Sequence, residues 1–242
     1  MRPVAILQHE PHQGPGHLQR FLAQHDIPVR LWRPDLGEPV PRHAGDFSGI
    51  VVLGSDHSVH DPLRWIEDER QLLRQALARG VPVLGHCFGA QQLARACGAR
   101  VVRNAWPHIG WSRLRVAPQA RALFGGQTHA PAFNWHYDTF EIPRGAQRTL
   151  LGAHCLNKGF ALGPHLGFQC HLEVTEESVR AWCRTGRGEL RTAQGPAVQS
   201  EAGMLENLAQ RAAHLHHVAD GVYHQWSLGL DRPRWMRLHH AR

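Results

Sequence analysis

Lysine is almost missing from this chain. Lys158 is the single one in 242 residues, and the other basic side chains are arginines scattered from end to end. A formal net charge of +7 invites a nucleic-acid partner, but no basic run is interleaved with aromatics, as single-strand binding requires. The positive balance therefore reads as a solvated surface, and no nucleic acid is expected as a partner. Cysteine is also scarce: five residues, odd in number and without a CxxC pair, which excludes a disulfide framework and a zinc knuckle and points to reduced thiols. No window approaches the ~20 apolar residues of a membrane span, and the apolar run in "MRPVAILQHE" is too short for a signal peptide. The expectation is a soluble, cytoplasmic protein with no membrane partner. Histidine is plentiful at 20 residues, yet "HLHH" (His214 to His217) and "LHH" (Leu238 to His240) lack a carboxylate or thiol at ligand spacing, so no metal is expected.

The length and the 42% hydrophobic content suit one large domain. "RPVAILQH", "PVRLWRP", "DFSGIVVLGS" and "VPVLGH" read as strands, while "GHLQRFLAQH" and "RWIEDERQLLRQALARG" read as helices. Trp65, Ile66, Leu72, Leu73 and Leu77 share one face of the second helix, which Gly80 and Pro82 then stop. This alternation predicts an α/β fold with a doubly wound, mostly parallel central sheet flanked by helices. Beyond Ala99, "RVVRNAW", "GWSRLRVAP", "PAFNWHYDTF", "QRTLLGAH", "GFALG" and "LGFQCHLEV" predict shorter strands separated by Gly and Pro. Two helical stretches follow, "EESVRAWCR" and "EAGMLENLAQRAAHLHHVADGVYHQWSLGL", joined by a Gly-rich mobile connection. The expected organisation is an α/β domain over 1–190 and a helical C-terminal extension over 191–242 packed on the same domain.

Chemistry concentrates in "VLGHCFGAQQLA", Val83 to Ala94. A buried strand ends at Gly85, a helix starts near Gly89, and Cys87 is left on a turn too tight for large neighbours. Such a GxCxG elbow lifts a nucleophile to the carboxyl end of the sheet. The following helix aims its positive end at the sulfur, which favours thiolate over thiol, and the N–H of Phe88 is placed to donate to an oxyanion.

A cysteine nucleophile needs a base with its own orienting acid. In "GFQCHLEV", His171 and Glu173 are two apart in a strand-like run, so their side chains would point to one face, and the carboxylate could hold the imidazole in one tautomer. Cys87, His171 and Glu173 thus form a candidate triad.

These residues resemble the class I glutamine amidotransferase family, in particular stand-alone proteins similar to the glutaminase domain of GMP synthetase. "GHCFGAQQLA" looks like the family's nucleophile elbow. "HIGWS" (His108 to Ser112) looks like its IGW segment, "NWHYDTF" (Asn134 to Phe140) its WHGDTF, "GFQCHLEVT" its FQFHPEVT, and "VVLGSDHSVHD" its GGPxSVxD loop. The segments run from about Ile50 to Trp182 in family order. The resemblance implies a flavodoxin-like, amidotransferase-type fold and hydrolysis of the side-chain amide of glutamine through a γ-glutamyl thioester on Cys87. It matches the N–H groups of Ser55 and Phe88 to the oxyanion hole, and Gln91, Trp135, His136 and Tyr137 to residues that hold the amino-acid end of the substrate. It implies no cofactor.

Departures stand beside the matches. Ser55 and Asp56 replace a glycine and a proline of the loop, Tyr137 replaces the glycine of WHGD, and Cys170 and Leu172 flank the base. Ser55 would restrict the backbone if that position needs positive φ. Neither an SGGxDS-like loop nor GxxxxGK[ST] occurs, and too few residues follow Glu173 for an ATP pyrophosphatase domain. Ammonia would then pass to a separate synthetase chain. The alternatives are a γ-glutamyl peptide hydrolase, or a non-catalytic amidotransferase-like binding or regulatory subunit.

Overall fold

Short apolar runs build the first strands, buried on both sides in β1, β3 and β4 as parallel sheets require and largely exposed in the edge strand β2. In the computed structural model, which describes residues 1–230, Val4–Leu7 forms β1, Val29–Trp32 β2, Gly49–Val52 β3 and Val83–His86 β4. These strands pair in parallel in the order β2-β1-β3-β4. The row continues in parallel into β9, His165–Phe168. Beyond it lie β8 (Gly159–Leu162), β7 (Gln147–Leu151), β5 (Val101–Val116) and β6 (His129–Phe140), each antiparallel to its neighbour. The nine strands form one α/β sheet with helices on both faces.

Side chains alternate between those faces with period two. Val4 and Ile6 pack with Leu18, Phe21 and Leu22 of α1 (Gly16–Gln24), whereas Ala5 and Leu7 pack with Ile66, Leu72 and Leu73 of α2 (Arg64–Arg79) and Leu93 of α3 (Phe88–Ala96). The α1 face is completed by α4 (Glu176–Thr185) and α7 (Leu208–Ser227), which bury Val179, Trp182, Leu215, Val222, Tyr223 and Trp226. Each such large apolar side chain contributes roughly 1.5–3 kcal/mol. The start of α4 is closed by a capping box, in which Thr175 Oγ1 accepts from the Ser178 N–H at 3.2 Å and Ser178 Oγ accepts from the Thr175 N–H at 2.8 Å.

Four expectations need correction. "RVVRNAW" and "GWSRLRVAP" belong to a single strand, β5, whose register against β6 shifts between Arg103 and His108. Pro107 lies in that interruption, where a missing N–H costs no ladder bond. His171 and Glu173 lie beyond the end of β9, with only an isolated bridge from His171 to Phe133. The helical stretch from Glu201 divides into α6 (Glu201–Leu205) and α7, because Asn207 takes a left-handed φ of 50° between them. The Gly-rich connection is pinned: it holds α5 (Arg187–Leu190), and the Ile109 N–H donates to Ala197 O at 2.9 Å while the Gln199 N–H donates to Ile109 O at 3.0 Å.

Candidate active site

The elbow follows from close backbone approach. A β-carbon on Gly85 would lie 2.6 Å from the Gly89 carbonyl, and one on Gly89 would lie 2.0 Å from Val52 O, so both positions need glycine for α3 to start against β3 and β4. Between them Cys87 adopts φ 50° and ψ −110° at the N-terminal boundary of α3, a region that residues with a β-carbon rarely occupy. Its N–H is tied to Phe168 O at 2.8 Å and its carbonyl accepts from the Gln91 N–H at 3.1 Å. The conformation is therefore held by β9 on one side and by the helix on the other. The sulfur ends 3.8 Å from Trp135 O and 3.7 Å from Gln169 Nε2.

The structure brings His171 and Glu173 to this sulfur by a route other than strand alternation. The His171 N–H donates to Phe133 O at 2.8 Å, and Glu173 O accepts from the His17 N–H at 2.8 Å, so the segment is gripped by β6 and by the start of α1. Gly16 (φ 44°) allows that grip, since a β-carbon there would lie 2.2 Å from Glu173 O. His171 Nδ1 meets Glu173 Oε1 at 2.6 Å, which leaves its other ring nitrogen free of that carboxylate, with the Cys87 sulfur near enough to favour the imidazolium. Trp182 stands edge-on to the imidazole at 4.6 Å, and Gly54 faces it so closely that a β-carbon there would lie 2.9 Å from His171 Cε1.

Burial disfavours the imidazolium, but the Glu173 carboxylate and the Cys87 sulfur outweigh it and raise the His171 pKa to about 10. Burial likewise opposes ionisation of Glu173, yet His86 and His171 bring its pKa down to about 2. His86 Nδ1 lies 3.3 Å from Glu173 Oε2 without hydrogen-bond alignment, and its complete burial favours the neutral ring. The His171 imidazole is thus clamped as one member of a buried ion pair.

Ser55, Phe88, Gln91, Trp135, His136 and Tyr137 all line one cavity of about 450 Å³ that also contains Cys87. Ser55 is outside the positive-φ set, so its β-carbon brings no backbone strain, contrary to the restriction considered from sequence. Gln91 Nε2 is turned inward, donating to Gln169 Oε1 at 3.1 Å and Asp138 O at 3.3 Å. His136 has both ring nitrogens occupied: Nδ1 donates to Asp138 O at 2.9 Å and Nε2 accepts from Lys158 Nζ at 2.6 Å. Burial and the lysine keep it neutral, so it contributes a wall and no free polar atom. Tyr137 lies under the Arg103 guanidinium, 4.3 Å from the ring centre, and burial together with Glu189 opposes ionisation of its hydroxyl.

Several residues here escaped the sequence reading. Gln169 touches the sulfur, and its position within "FQCHLE" was the available signal. Lys158 is fully buried, donates to Asn134 Oδ1 at 2.6 Å as well as to His136, and burial lowers its pKa to about 8. Being the sole lysine was its only mark. Glu189 reaches the cavity from α5 and accepts from Trp135 Nε1 at 2.9 Å, a contact that no local motif signals. Among the described residues no group of three or more His, Cys, Asp or Glu could hold a metal ion, and none of the helices is long and apolar enough to cross a membrane. The "LHH" at Leu238 to His240 lies outside the described residues.

A mixed α/β sheet with a cysteine elbow at the end of a parallel strand and a histidine–carboxylate pair beside it places a polar cluster where open α/β folds hold their ligands. Residues 17–181 match the family "Glutamine amidotransferase class-I", and the chain belongs to that family. A glutamine amidotransferase structure from Methylobacillus flagellatus is similar over 96% of this chain and 97% of that one, with 39% identity and a TM-score of 0.93. YfeJ of Salmonella typhimurium, named for its likeness to glutamine amidotransferases, is 26% identical over 79% of this chain and 84% of its own length. The glutamine-hydrolysing GMP synthase of Aeropyrum pernix is 32% identical over 48% of this chain, which spans only 21% of that synthase.

Proposed function

We propose that the chain is a glutamine amidotransferase-type cysteine hydrolase that releases ammonia from the side-chain amide of glutamine. The observation that carries this reading is Cys87, held in an otherwise disfavoured backbone conformation where α3 begins, beside a His171–Glu173 pair at 2.6 Å. The Cys87 thiolate attacks the carboxamide carbon, and the N–H groups of Ser55 and Phe88 receive the oxyanion. His171, oriented and kept cationic by Glu173, gives its proton to the departing ammonia. The neutral imidazole then deprotonates water, which cleaves the thioester to glutamate and regenerates the thiolate–imidazolium pair. Arg103 and Glu189 at the mouth offer opposite charges to an amino acid's carboxylate and ammonium.

Free ammonia is useful only to an acceptor, so a separate synthetase chain is the partner this reading calls for. A cavity of about 450 Å³ falls in the range of small-molecule sites and also favours a second reading, in which the leaving group is a larger amine of a γ-glutamyl compound. Glutamate release from glutamine and from γ-glutamyl dipeptides, compared between wild type and Cys87→Ala, separates the two. A glutamine-mimicking electrophile should label Cys87 in the intact protein. Neither hydrolysis nor labelling, alone or with a synthetase present, would leave only the binding-subunit reading.

A further inference from the structure

A second buried histidine–carboxylate pair lies behind the loop that follows β3. His9 and Glu69 are both fully buried, and His9 Nε2 meets Glu69 Oε1 at 2.6 Å. Besides Glu69, α2 buries Ile66, Arg70, Leu72, Leu73 and Ala76, and the second oxygen of Glu69 has no hydrogen-bond partner. A buried histidine–carboxylate pair is costly to desolvate, and an apolar pair would fill the same space at least as favourably. The other nitrogen suggests why the pair is there: His9 Nδ1 lies 3.0 Å from Gly54 O.

The Gly54 carbonyl and the Ser55 N–H are two ends of one planar trans peptide group and point in opposite directions. A donor fixed on the carbonyl therefore fixes the direction of the N–H. We propose that the His9–Glu69 pair is a positioning clamp that locks the Gly54–Ser55 peptide plane, so that the Ser55 N–H is aimed into the site as a preformed oxyanion donor. The clamp is itself rigid, because His9 stacks on Trp65 at 4.9 Å and meets Phe88 at 5.1 Å. The groups facing the imidazole are Glu69 and Trp65 from α2, Phe88 from α3 and the Gly54 carbonyl, with Asp35 acting from further off. Burial disfavours the imidazolium, but Glu69 and the Gly54 carbonyl prevail and favour it. Both nitrogens then donate, and a charged donor on the carbonyl also polarises the amide toward a stronger N–H.

The proposal rests on Cys87 being the nucleophile, and its test separates the two ideas. Three forms are compared: wild type, His9→Gln, whose amide can bond Glu69 but has no donor at the Nδ1 position, and the apolar double variant His9→Leu/Glu69→Leu, which buries no charge. Each is assayed for glutamine hydrolysis and for alkylation of Cys87 by iodoacetamide, a displacement that develops no oxyanion. Both variants should lose roughly tenfold to a hundredfold in kcat, with KM within about threefold and alkylation rates close to wild type. His9→Asn, which restores a donor toward Gly54 O, should recover most of kcat. Unchanged kcat in a folded His9→Gln protein, or a parallel loss of kcat and alkylation, overturns the clamp. A wild type that is neither alkylated selectively at Cys87 nor active overturns the nucleophile reading and the clamp with it.

Discussion

Replacing Cys87 by glycine should leave a more stable protein than replacing it by alanine, although both changes remove the thiol. At φ 50° and ψ −110° any residue with a β-carbon sits where steric strain is of order 1–3 kcal/mol. Glycine escapes that strain but loses more backbone entropy on folding, about 0.5–1 kcal/mol. The fair reference is Cys87→Ala, which keeps the β-carbon and has already lost the sulfur's approaches to Trp135 O and Gln169 Nε2. The difference leaves Cys87→Gly more stable than Cys87→Ala by about 0–2.5 kcal/mol, with a midpoint of about 1.3. For a chain of this size that midpoint corresponds to a Tm higher by roughly 3–5 °C. Calorimetry on the two variants at one pH, with urea titration to confirm equal m-values, measures it. If the glycine variant melts below the alanine variant, the elbow is unstrained and the account of its geometry is wrong.

Stability against pH should fall on both sides of neutrality. Glu173, depressed from 4.5 to about 2, contributes stability that is complete above the first value and lost as the pH falls toward the second. His171, raised from 6.5 to about 10, contributes stability that is complete below 6.5 and lost as the pH rises through 10. Lys158, lowered from 10.5 to about 8, acts in the opposite sense, because the unfolded chain binds its proton more tightly between those values. Lys158→Met should therefore steepen the alkaline decline, and urea midpoints measured from pH 7 to 10 would register it; parallel curves would contradict the assignment. Cys87→Ala, by removing one support of the His171 cation, should move the alkaline decline to lower pH in the same titration. Gly89→Ala drives a methyl group into Val52 O and should cost roughly 1–3 kcal/mol, readable as a lowered urea midpoint.

What the sequence disclosed depended on how local the physics was. The glycines at 85 and 89 announce the elbow because only a missing β-carbon allows that approach, and four short apolar runs announce parallel strands. His171 and Glu173 meet as expected, but through anchors on β6 and α1 that lie 38 and 156 positions away from them in sequence, Phe133 and His17 respectively. Alternation gave the correct neighbours through the wrong element. The break at Asn207 was invisible because the hydrophobic pattern persists across it. Nothing in the local sequence marked Glu69 on α2 or Lys158 as buried. Their burial is decided by partners at positions 9, 134 and 136, which no window of local sequence contains.

The long β5–β6 hairpin supplies Arg103, Trp135, His136, Tyr137 and Asp138 to the cavity, whereas the thiol stands on the parallel half of the sheet. On the proposed function, reactivity and selectivity would thereby fall to separate stretches of polypeptide. Arg103 and Asp138 pair at the open end of that hairpin, far from its 117–128 turn, so an engineer could vary the cavity wall there while leaving the turn and the Cys87 backbone as they are.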